Sequence, residues 1–249
     1  FVPSQLSGEG LQTGMVGQPA FVRISLKDTF GNPCRPSDAF KFGVALVSET
    51  RKKLADVTAS DFTGRWLGDA SGGTYELAFL TKTSGASELH VWCDPKATGH
   101  ERHAFNGSPF VIQVVAGKPS AEQSNVDGFT KEQSRHHEQQ KKRPGGAEQQ
   151  LMMDTSRVVA GDVVSVRPIL LDGKGNATVL PEGGERDLTA TVTLPDQSQK
   201  QLNVVYDPGR RRYEVRTDTM LSGEHQLRLM LQGVEIRGSP VLFDVVSAL

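Results

Sequence analysis

Short runs of alternating apolar and polar residues recur along most of this chain, separated by turn-forming residues. Alternation with period two is typical of half-buried β-strands, and no amphipathic helix lies between the runs. In the first part of the chain, the pattern predicts an early strand before Met15 and then strands at Ala20–Lys27, Phe40–Val47, Leu54–Thr58, Gly73–Thr81, Ser87–Cys93 and Phe110–Val115. In the second part, it predicts strands at Met152–Arg157, Val163–Leu171, Leu188–Leu194, Gln201–Tyr206, Arg212–Thr217, Gly223–Leu231 and Val241–Val246.

The second set of strands repeats the first in the same order. Asp28 follows an early strand and corresponds to Asp172, at an offset of 144 residues. The tripeptide Gly-Ser-Pro precedes the last strand of each set, at 107–109 and, at an offset of 131 residues, at 238–240. Because the offset shrinks while the strands persist, the copies differ in their loops. The chain is therefore predicted to contain two copies of one β domain.

A polar stretch separates the two copies. We expect the first copy to span 1–117, the second 152–249, and the residues 118–151 to form a linker, partly disordered or with a short helix ending before Pro144. This stretch has too few apolar residues to build a core. Its basic triplet at 141–143 is expected to be solvated, and the alternative is that it docks on an acidic surface or acts as an address. Within the second copy, Pro168 removes a donor from a predicted strand, which indicates a bulge or an edge there.

Composition narrows the classes of function. The formal net charge is −1, so no overall positive field attracts nucleic acid. No run of about 18 apolar residues is present, so we expect no direct membrane insertion. The chain begins at Phe1 without a signal peptide, and we expect it to be a fragment or a processed chain.

Catalytic motifs are not found in the sequence. Neither a phosphate-binding glycine loop nor a nucleophile elbow occurs, so we predict a protein that is not an enzyme and has no cofactor. Three potential metal ligands, His100, Glu101 and His103, lie near Cys93, but their spacing matches no known site, and we expect a solvated loop without metal. The basic run 210–212 is expected to be a charged hairpin tip, with a phosphate contact as the alternative.

Several short motifs occur in the same order in both copies. They are a glycine before the second strand, Asp-x-x-Gly-Asn after it, Tyr-Glu in the fifth strand, Ser-Gly before the sixth and Gly-Ser-Pro before the last. The first copy carries Gly17, Asp28, Gly31, Asn32, Gly73, Tyr75, Glu76, Gly85, Gly107, Ser108, Pro109 and Phe110. The second carries Gly161, Asp172, Gly175, Asn176, Tyr213, Glu214, Gly223, Gly238, Ser239 and Pro240. Gly-Asn supplies a turn with positive φ, and the tyrosine ring enters the core while its hydroxyl reaches the backbone.

This order of motifs resembles the filamin-type immunoglobulin repeat, over nearly all of the chain outside the polar stretch. The resemblance implies an all-β fold of two immunoglobulin-like (filamin-type) β-sandwiches joined by a long polar linker. Three features depart from the family pattern: the long loop from Asp94 to Asn106, the expanded stretch from Ser48 to Asp69, and the length of the linker. The long linker puts rod-like stacking of the two copies in doubt.

The resemblance also implies a function and a site. Filamin-type repeats are scaffolds that bind partner peptides as an extra strand beside strand C, over the groove between strands C and D, so the partners implied are proteins, either a peptide strand or adjacent repeats. The alternative is that each of the matching residues belongs only to the core. The matching residues are Ala190, Val192, Leu194, Leu202, Val204 and Tyr206 in the second copy, and Phe42, Val44 and Leu46 in the first, where strand D is poorly defined near Leu54 and Val57.

The cysteines and sequons bear on the compartment. Cys34 follows strand B and Cys93 closes strand F, and in an immunoglobulin topology these loops share one end of the sandwich, so a disulfide is geometrically allowed. The alternative is two reduced thiols, one partly buried near Trp92. Asn106 and Asn176 stand in sequons that would be glycosylated in a secreted protein.

Three functions follow from the resemblance. The first is an intracellular scaffold segment, cytoskeletal or ciliary, which we favour. The second is an extracellular segment for cell–cell adhesion, as in gamete-surface proteins with filamin-like repeats. The third is a substrate-binding appendage of a larger enzyme. Reduced cysteines and unmodified sequons favour the first, and a disulfide with glycans favours the second.

Overall fold

The β-strands of the chain divide into two units, Phe1–Gly117 and Lys118–Leu249. A computed structural model describes residues 5–28, 30–36, 41–48, 62–68, 73–94, 102–132 and 157–247. Each unit is a sandwich of two sheets, and its described connections contain only turns and short 3-10 segments. Within these ranges, no helix has the length and apolar character needed to cross a bilayer. The prediction of an all-β chain of immunoglobulin-like sandwiches is confirmed.

The first unit has nine described strands. Their bounds are β1 (Gln5–Ser7), β2 (Thr13–Met15), β3 (Pro19–Ser25), β4 (Lys41–Ser48), β5 (Phe62–Trp66), β6 (Thr74–Leu80), β7 (Gly85–Asp94), β8 (His103–Ala104) and β9 (Phe110–Val115). One sheet has the order β1-β3-β6-β5, and the other has the order β2-β9-β7-β4, with β8 paired to β7. The chain passes from the first sheet to the second between β1 and β2.

Alternating side chains of these strands meet between the two sheets. In β3, Val22 and Ile24 are fully buried, whereas Phe21 and Arg23 point outward. This alternation is what the sequence pattern predicts for a sheet with one face in the core. The buried cluster of the first unit comprises Val16, Ala20, Val22, Ile24, Leu26, Phe42, Val44, Leu77, Phe79, Leu89, Val91, Cys93, Ile112 and Val114.

The second unit has ten described strands. Their bounds are β10 (Asn125–Glu132), β11 (Arg157–Val159), β12 (Val163–Ile169), β13 (Leu188–Thr193), β14 (Gln199–Leu202), β15 (Val204–Asp207), β16 (Arg212–Asp218), β17 (Gly223–Leu231), β18 (Val234–Glu235) and β19 (Val241–Val246). One sheet has the order β10-β12-β16-β15, and the other has the order β11-β19-β17-β13-β14, with β18 paired to β17. Its core repeats that of the first unit, with Val166, Val215, Leu227 and Phe243 among the buried side chains.

The second sandwich begins earlier than the sequence predicts. Residues 118–132, which we assigned to the linker, belong to the second unit, because β10 pairs with β12 and Ser124 is fully buried. Ser124 accepts a hydrogen bond from the Leu171 N–H through its hydroxyl at 3.0 Å. The polar stretch after Glu132 therefore leads from β10 in one sheet to β11 in the other, within one sandwich. Residues 133–156 lie outside the described residues.

Two strand predictions in the neighbourhood of strand D are corrected. The predicted strand Gln201–Tyr206 is two strands: β14 pairs with β13, and β15 pairs with β16 of the opposite sheet. The chain changes sheets at Asn203, between them. In the first unit, the predicted strand Leu54–Thr58 lies outside the described residues, and β5 pairs with β6 in the position of strand D.

The predicted irregularity at Pro168 is located on the neighbouring strand. β12 lies between β10 and β16, so Pro168 is not on an edge strand. It pairs with Val126, and the register of β10 shifts between Val126 and Phe129. The intervening Gly128 has φ of +86°. The bulge in β10 accommodates the position where proline offers no donor.

The repeated motifs form the same turns in both units. The carboxylate of Asp28 accepts the Asn32 N–H at 2.8 Å, and the carboxylate of Asp172 accepts the Asn176 N–H at 2.9 Å. The Tyr213 hydroxyl accepts the Leu180 N–H at 2.8 Å, which confirms the predicted contact of this tyrosine with the backbone.

Candidate interaction edge

The side chains predicted to bind a partner belong to the two cores. Val44, Ala190 and Val192 have no exposed surface, and Phe42 and Leu202 are also buried. The others, Leu46, Leu194, Val204 and Tyr206, are partly buried and pack against the same clusters. A partner therefore does not reach the fully buried side chains of Val44, Ala190 and Val192 directly, and along β4 and β13 it is the main chain that remains to be considered for binding.

The Gly-Ser-Pro turn fixes the direction of the main chain in β7. The Val91 N–H donates to Ser108 Oγ at 2.9 Å, and the Val91 carbonyl accepts the Phe105 N–H at 3.1 Å. Both polar groups of Val91 thus point toward the β9 side of the sheet. Because successive residues of a strand direct these groups to opposite sides, His90 and Trp92 direct theirs to β4.

The main-chain N–H and C=O groups of β4 alternate in direction in the same way. Gly43 and Ala45 lie opposite Trp92 and His90 and pair with them through the main chain. Consequently, the N–H and C=O groups of Val44 and Leu46 point to the outer side of β4. β4 is the last strand of its sheet among the described residues. The polar groups on this edge therefore belong to the main chain of residues whose side chains are anchored in the core.

The second unit uses the same side of its strand C internally. The Leu229 N–H donates to Ser239 Oγ at 2.9 Å, so the main chain of Leu229 also points toward the last strand, β19. By the same alternation, Ala190 and Val192 direct their polar groups away from β17. There they meet β14, in which Leu202 pairs with Ala190 and Lys200 with Val192. The edge that the sequence suggested for partner binding is thus occupied by the chain itself.

An aromatic side chain covers the outer face next to the β4 edge. The Trp92 ring lies against Gly43 so closely that a Cβ on Gly43 would be 2.5 Å from two ring carbons. The Arg102 guanidinium lies over the same ring, 4.8 Å from its centroid. Ala45 is buried beside them, and Val47 is half-buried further along the strand. Sequence reasoning missed these residues because it followed only the inward-facing positions, although the intervening positions of the same alternation contain them.

Cys34 and Cys93 are free thiols in the structure. Cys93 is buried, and its thiol approaches the His103 carbonyl at 3.7 Å across the β7–β8 pair. Cys34 packs against the same core cluster from the loop after β3. Burial raises the pKa of the Cys93 thiol, and the neighbouring carboxylate of Asp94 adds to this effect. A protonated Cys93 is a poor nucleophile for thiol chemistry.

The two sequons differ in accessibility. Asn106 lies exposed in the turn before β9. Asn176 is partly buried, and its Nδ2 donates to both carboxylate oxygens of Asp172 at 3.1 Å. Asn106 is therefore the more accessible of the two asparagines in the native fold.

The structure also describes part of the possible metal-ligand cluster and the basic hairpin. Across the ranges that the structure describes, no three His, Cys, Asp or Glu side chains are grouped to hold a metal ion. His100 and Glu101 of the proposed loop cluster lie outside those ranges. In the basic hairpin, the guanidinium of Arg210 forms an ion pair with the carboxylate of Asp207 at 3.7 Å. The main-chain N–H of Arg210 donates a hydrogen bond to the same carboxylate at 3.2 Å.

Comparison with known proteins finds partial relatives. No family model matches the chain. Tripartite motif-containing protein 2 from human, mouse and rat is 30% identical over 109 residues, which cover 44% of this chain. The chain spans only 12% of the length of these relatives.

Solved structures show likeness at the level of the fold. The Escherichia coli adhesin FdeC is 18% identical, with a TM-score of 0.50, over 100% of this chain and 67% of FdeC. The Lin-41 filamin domain is also 18% identical, with a TM-score of 0.35, over 52% of this chain and 98% of that domain. The likeness to FdeC agrees with the two sandwiches described above.

Proposed function

We propose that this chain is a non-catalytic protein-interaction segment that binds a partner strand along the outer edge of β4. The observation that carries the proposal is the direction of the main chain at Val44 and Leu46, which points away from β7 at the end of the described sheet. Main-chain hydrogen bonds to an added strand supply affinity, and side chains on alternate positions supply selectivity. Trp92, with Gly43 beneath it, offers an apolar contact next to that edge.

The two sandwiches have different roles in this proposal. The first receives the partner, while the second has its corresponding edge closed by β14. Such closure is a common way to protect an edge strand from unwanted pairing. The repeated turns built by Asp28 and Asp172, and by Ser108 and Ser239, support a filamin-type origin for both sandwiches.

An intracellular scaffold, cytoskeletal or ciliary, is the context that we favour. Two free cysteines, one of them buried, support a reducing compartment. The exposed sequon at Asn106 supports the second candidate, an extracellular adhesion segment. The third candidate is an appendage of a larger enzyme. The match to tripartite motif-containing protein 2 covers a small part of that protein, which supports a module carried within longer chains.

A matched pair of variants tests the proposed edge. Val47→Lys places a charge beside the β4 edge, where Glu88 on the facing strand can pair with it, so the fold is expected to persist. Thr193→Lys places the same charge at the corresponding position of the second unit. Partners captured from the natural source by the unmodified chain are then quantified on both variants. We expect Val47→Lys to reduce their binding at least about tenfold, and Thr193→Lys to leave it unchanged. Equal binding by the two folded variants contradicts the proposal.

A further inference from the structure

A small pocket in the second unit has walls of defined chemistry. It has a volume of about 160 Å³ and lies between β15 and the loop that leads into β13. Leu180 and Val204 form apolar walls, Tyr206 and Tyr213 form an aromatic wall, and Glu182 and Glu185 also line the pocket. All of these residues belong to the second unit, whereas the β4 edge belongs to the first.

The aromatic wall is held in place by the core. Tyr213 is buried, and its hydroxyl accepts the Leu180 N–H at 2.8 Å, which ties the loop to β16. Tyr206 lies opposite Tyr213 on β15, with ring centroids 4.8 Å apart. Val204 also packs against the core cluster. The pocket is therefore formed before any ligand arrives, which lowers the entropic cost of binding.

The charge at the pocket is negative. Both charged residues of the lining are glutamates, and none of the described lysines or arginines lines the pocket. Burial raises the pKa of Tyr213, and the carboxylate of Glu185 adds to this increase. A neutral aromatic wall beside two carboxylates is complementary to a cation with an apolar stem.

We infer that this pocket receives one arginine side chain of a peptide partner. The volume suits a single side chain, whose methylene groups would contact Leu180 and Val204. The planar guanidinium stacks on tyrosine and donates in two directions, whereas an ammonium is a compact, strongly hydrated charge. A guanidinium that stacks on Tyr206 and donates hydrogen bonds to Glu182 and Glu185 would contact the aromatic and the acidic walls of the pocket. The inference does not rest on strand addition at β4.

A pair of small probes tests this inference on the whole chain. N-acetyl-arginine methylamide is titrated into the ¹⁵N-labelled protein, and N-acetyl-citrulline methylamide serves as the neutral probe of the same shape. We expect arginine to shift the amide signals of Leu180, Glu185 and Tyr206 with a Kd of about 1–10 mM, and citrulline to bind at least about tenfold more weakly. Raising the salt concentration should weaken the arginine complex.

Charge-neutral variants complete the test. The double variant Glu182→Gln and Glu185→Gln should weaken arginine binding at least about tenfold, because it keeps the shape and removes the charge. Glu224→Gln, an exposed carboxylate on β17, is the control and should leave binding unchanged. The amide spectrum of each variant reports whether the fold is intact. Equal binding of arginine and citrulline, signal shifts at other residues, or no shifts at all would overturn the inference.

Discussion

Ala190 pairs with Leu202 on β14, whereas Val44, which occupies the corresponding position of the first sandwich, lies on the last described strand of its sheet. Both residues are fully buried and face the same kind of core. Their difference lies in the main chain, which is satisfied within the fold for Ala190 and directed to the outer edge for Val44. Among the described residues, the two copies of the domain thus differ in what flanks this strand.

The contact between Gly43 and Trp92 predicts a strong dependence of stability on a single methyl group. Gly43→Ala places its Cβ 2.5 Å from the ring carbons, so the indole must move and its packing is lost. We expect a loss of about 1–3 kcal/mol in the unfolding free energy of the first unit. Both tryptophans of the chain, Trp66 and Trp92, lie in this unit, so the fluorescence of Trp66 reports its unfolding even when Trp92 is replaced.

A double-mutant cycle checks that the steric conflict is the cause. In a Trp92→Ala background, the same Gly43→Ala substitution should cost little, because the ring that it meets is gone. If the cost of Gly43→Ala is the same in both backgrounds, the described contact does not determine the stability at this position.

The hydroxyl of Ser108 predicts a defined cost for its removal. Ser108→Ala leaves the Val91 N–H, in the middle of β7, without its acceptor. An unsatisfied buried donor costs about 1–3 kcal/mol, so the first unit should be destabilised by that amount in denaturant titrations. Ser7→Ala, at an exposed serine on β1, is the control and should change stability by less than about 0.5 kcal/mol. A Ser108→Ala variant as stable as this control would contradict the role assigned to the turn.

The carboxylate of Glu76 predicts how the first unit responds to acid. Hydrogen bonds from Arg65, at 3.0 and 2.7 Å, and from Arg23 hold the pKa of Glu76 below its ordinary value of 4.5. A depressed pKa contributes stability that is present above the unfolded value and is lost as the pH falls through the folded value. Below a pH of about 4.5, stability should therefore decline, and Glu76→Gln should reduce the slope of that decline. Glu9→Gln, at an exposed carboxylate of the same unit, should leave the slope as it is. An unchanged slope in Glu76→Gln would mean that this ion-paired group does not control the acid response.

The two asparagine sequons predict selective glycosylation if the chain is passed through a secretory pathway. Asn106 is exposed and should be modified, whereas the Asn176 amide is engaged by Asp172 and should be modified far less once the fold has formed. Intact mass and peptide mapping of secreted protein give the occupancy of each site. Asp172→Ala releases the Asn176 amide and should raise its occupancy. Equal modification of both sites in the unaltered chain would contradict this prediction.

Much of the fold could be predicted because the hydrophobic pattern records which side of a strand faces the core. The strands Phe110–Val115, Gly223–Leu231 and Val241–Val246 have the predicted bounds. The hydrophobic pattern does not reveal that the chain changes sheets at Asn203. Leu202 and Val204 both contact the core, so the alternation of apolar and polar residues continues from one sheet to the other. β10 escaped prediction because its bulge separates Val126 and Phe129 by three positions instead of two.

The candidate interaction edge was only partly predictable for a related reason. The pattern identified Val44 and Leu46 as members of strand C, but a pattern of side chains does not show which main-chain groups lack an internal partner. That information depends on the pairing of β14 with β13 and on the Ser108 and Ser239 turns, which join residues distant along the chain. The polar stretch after β10 was assigned to a linker because its composition excludes a core, while its position within one sandwich depends on pairing.

Amide hydrogen exchange, followed residue by residue by NMR, tests the central claim most directly. In the first unit, Val44 and Leu46 should exchange much faster than Ala45, whose N–H pairs with β7. In the second unit, Ala190 and Val192 should exchange as slowly as Thr191, because β14 and β17 flank β13 on both sides. This contrast is the predicted result for an edge that is open in one sandwich and closed in the other. Protection of Val44 and Leu46 equal to that of Ala45 would show that the β4 edge is already covered and would contradict the account.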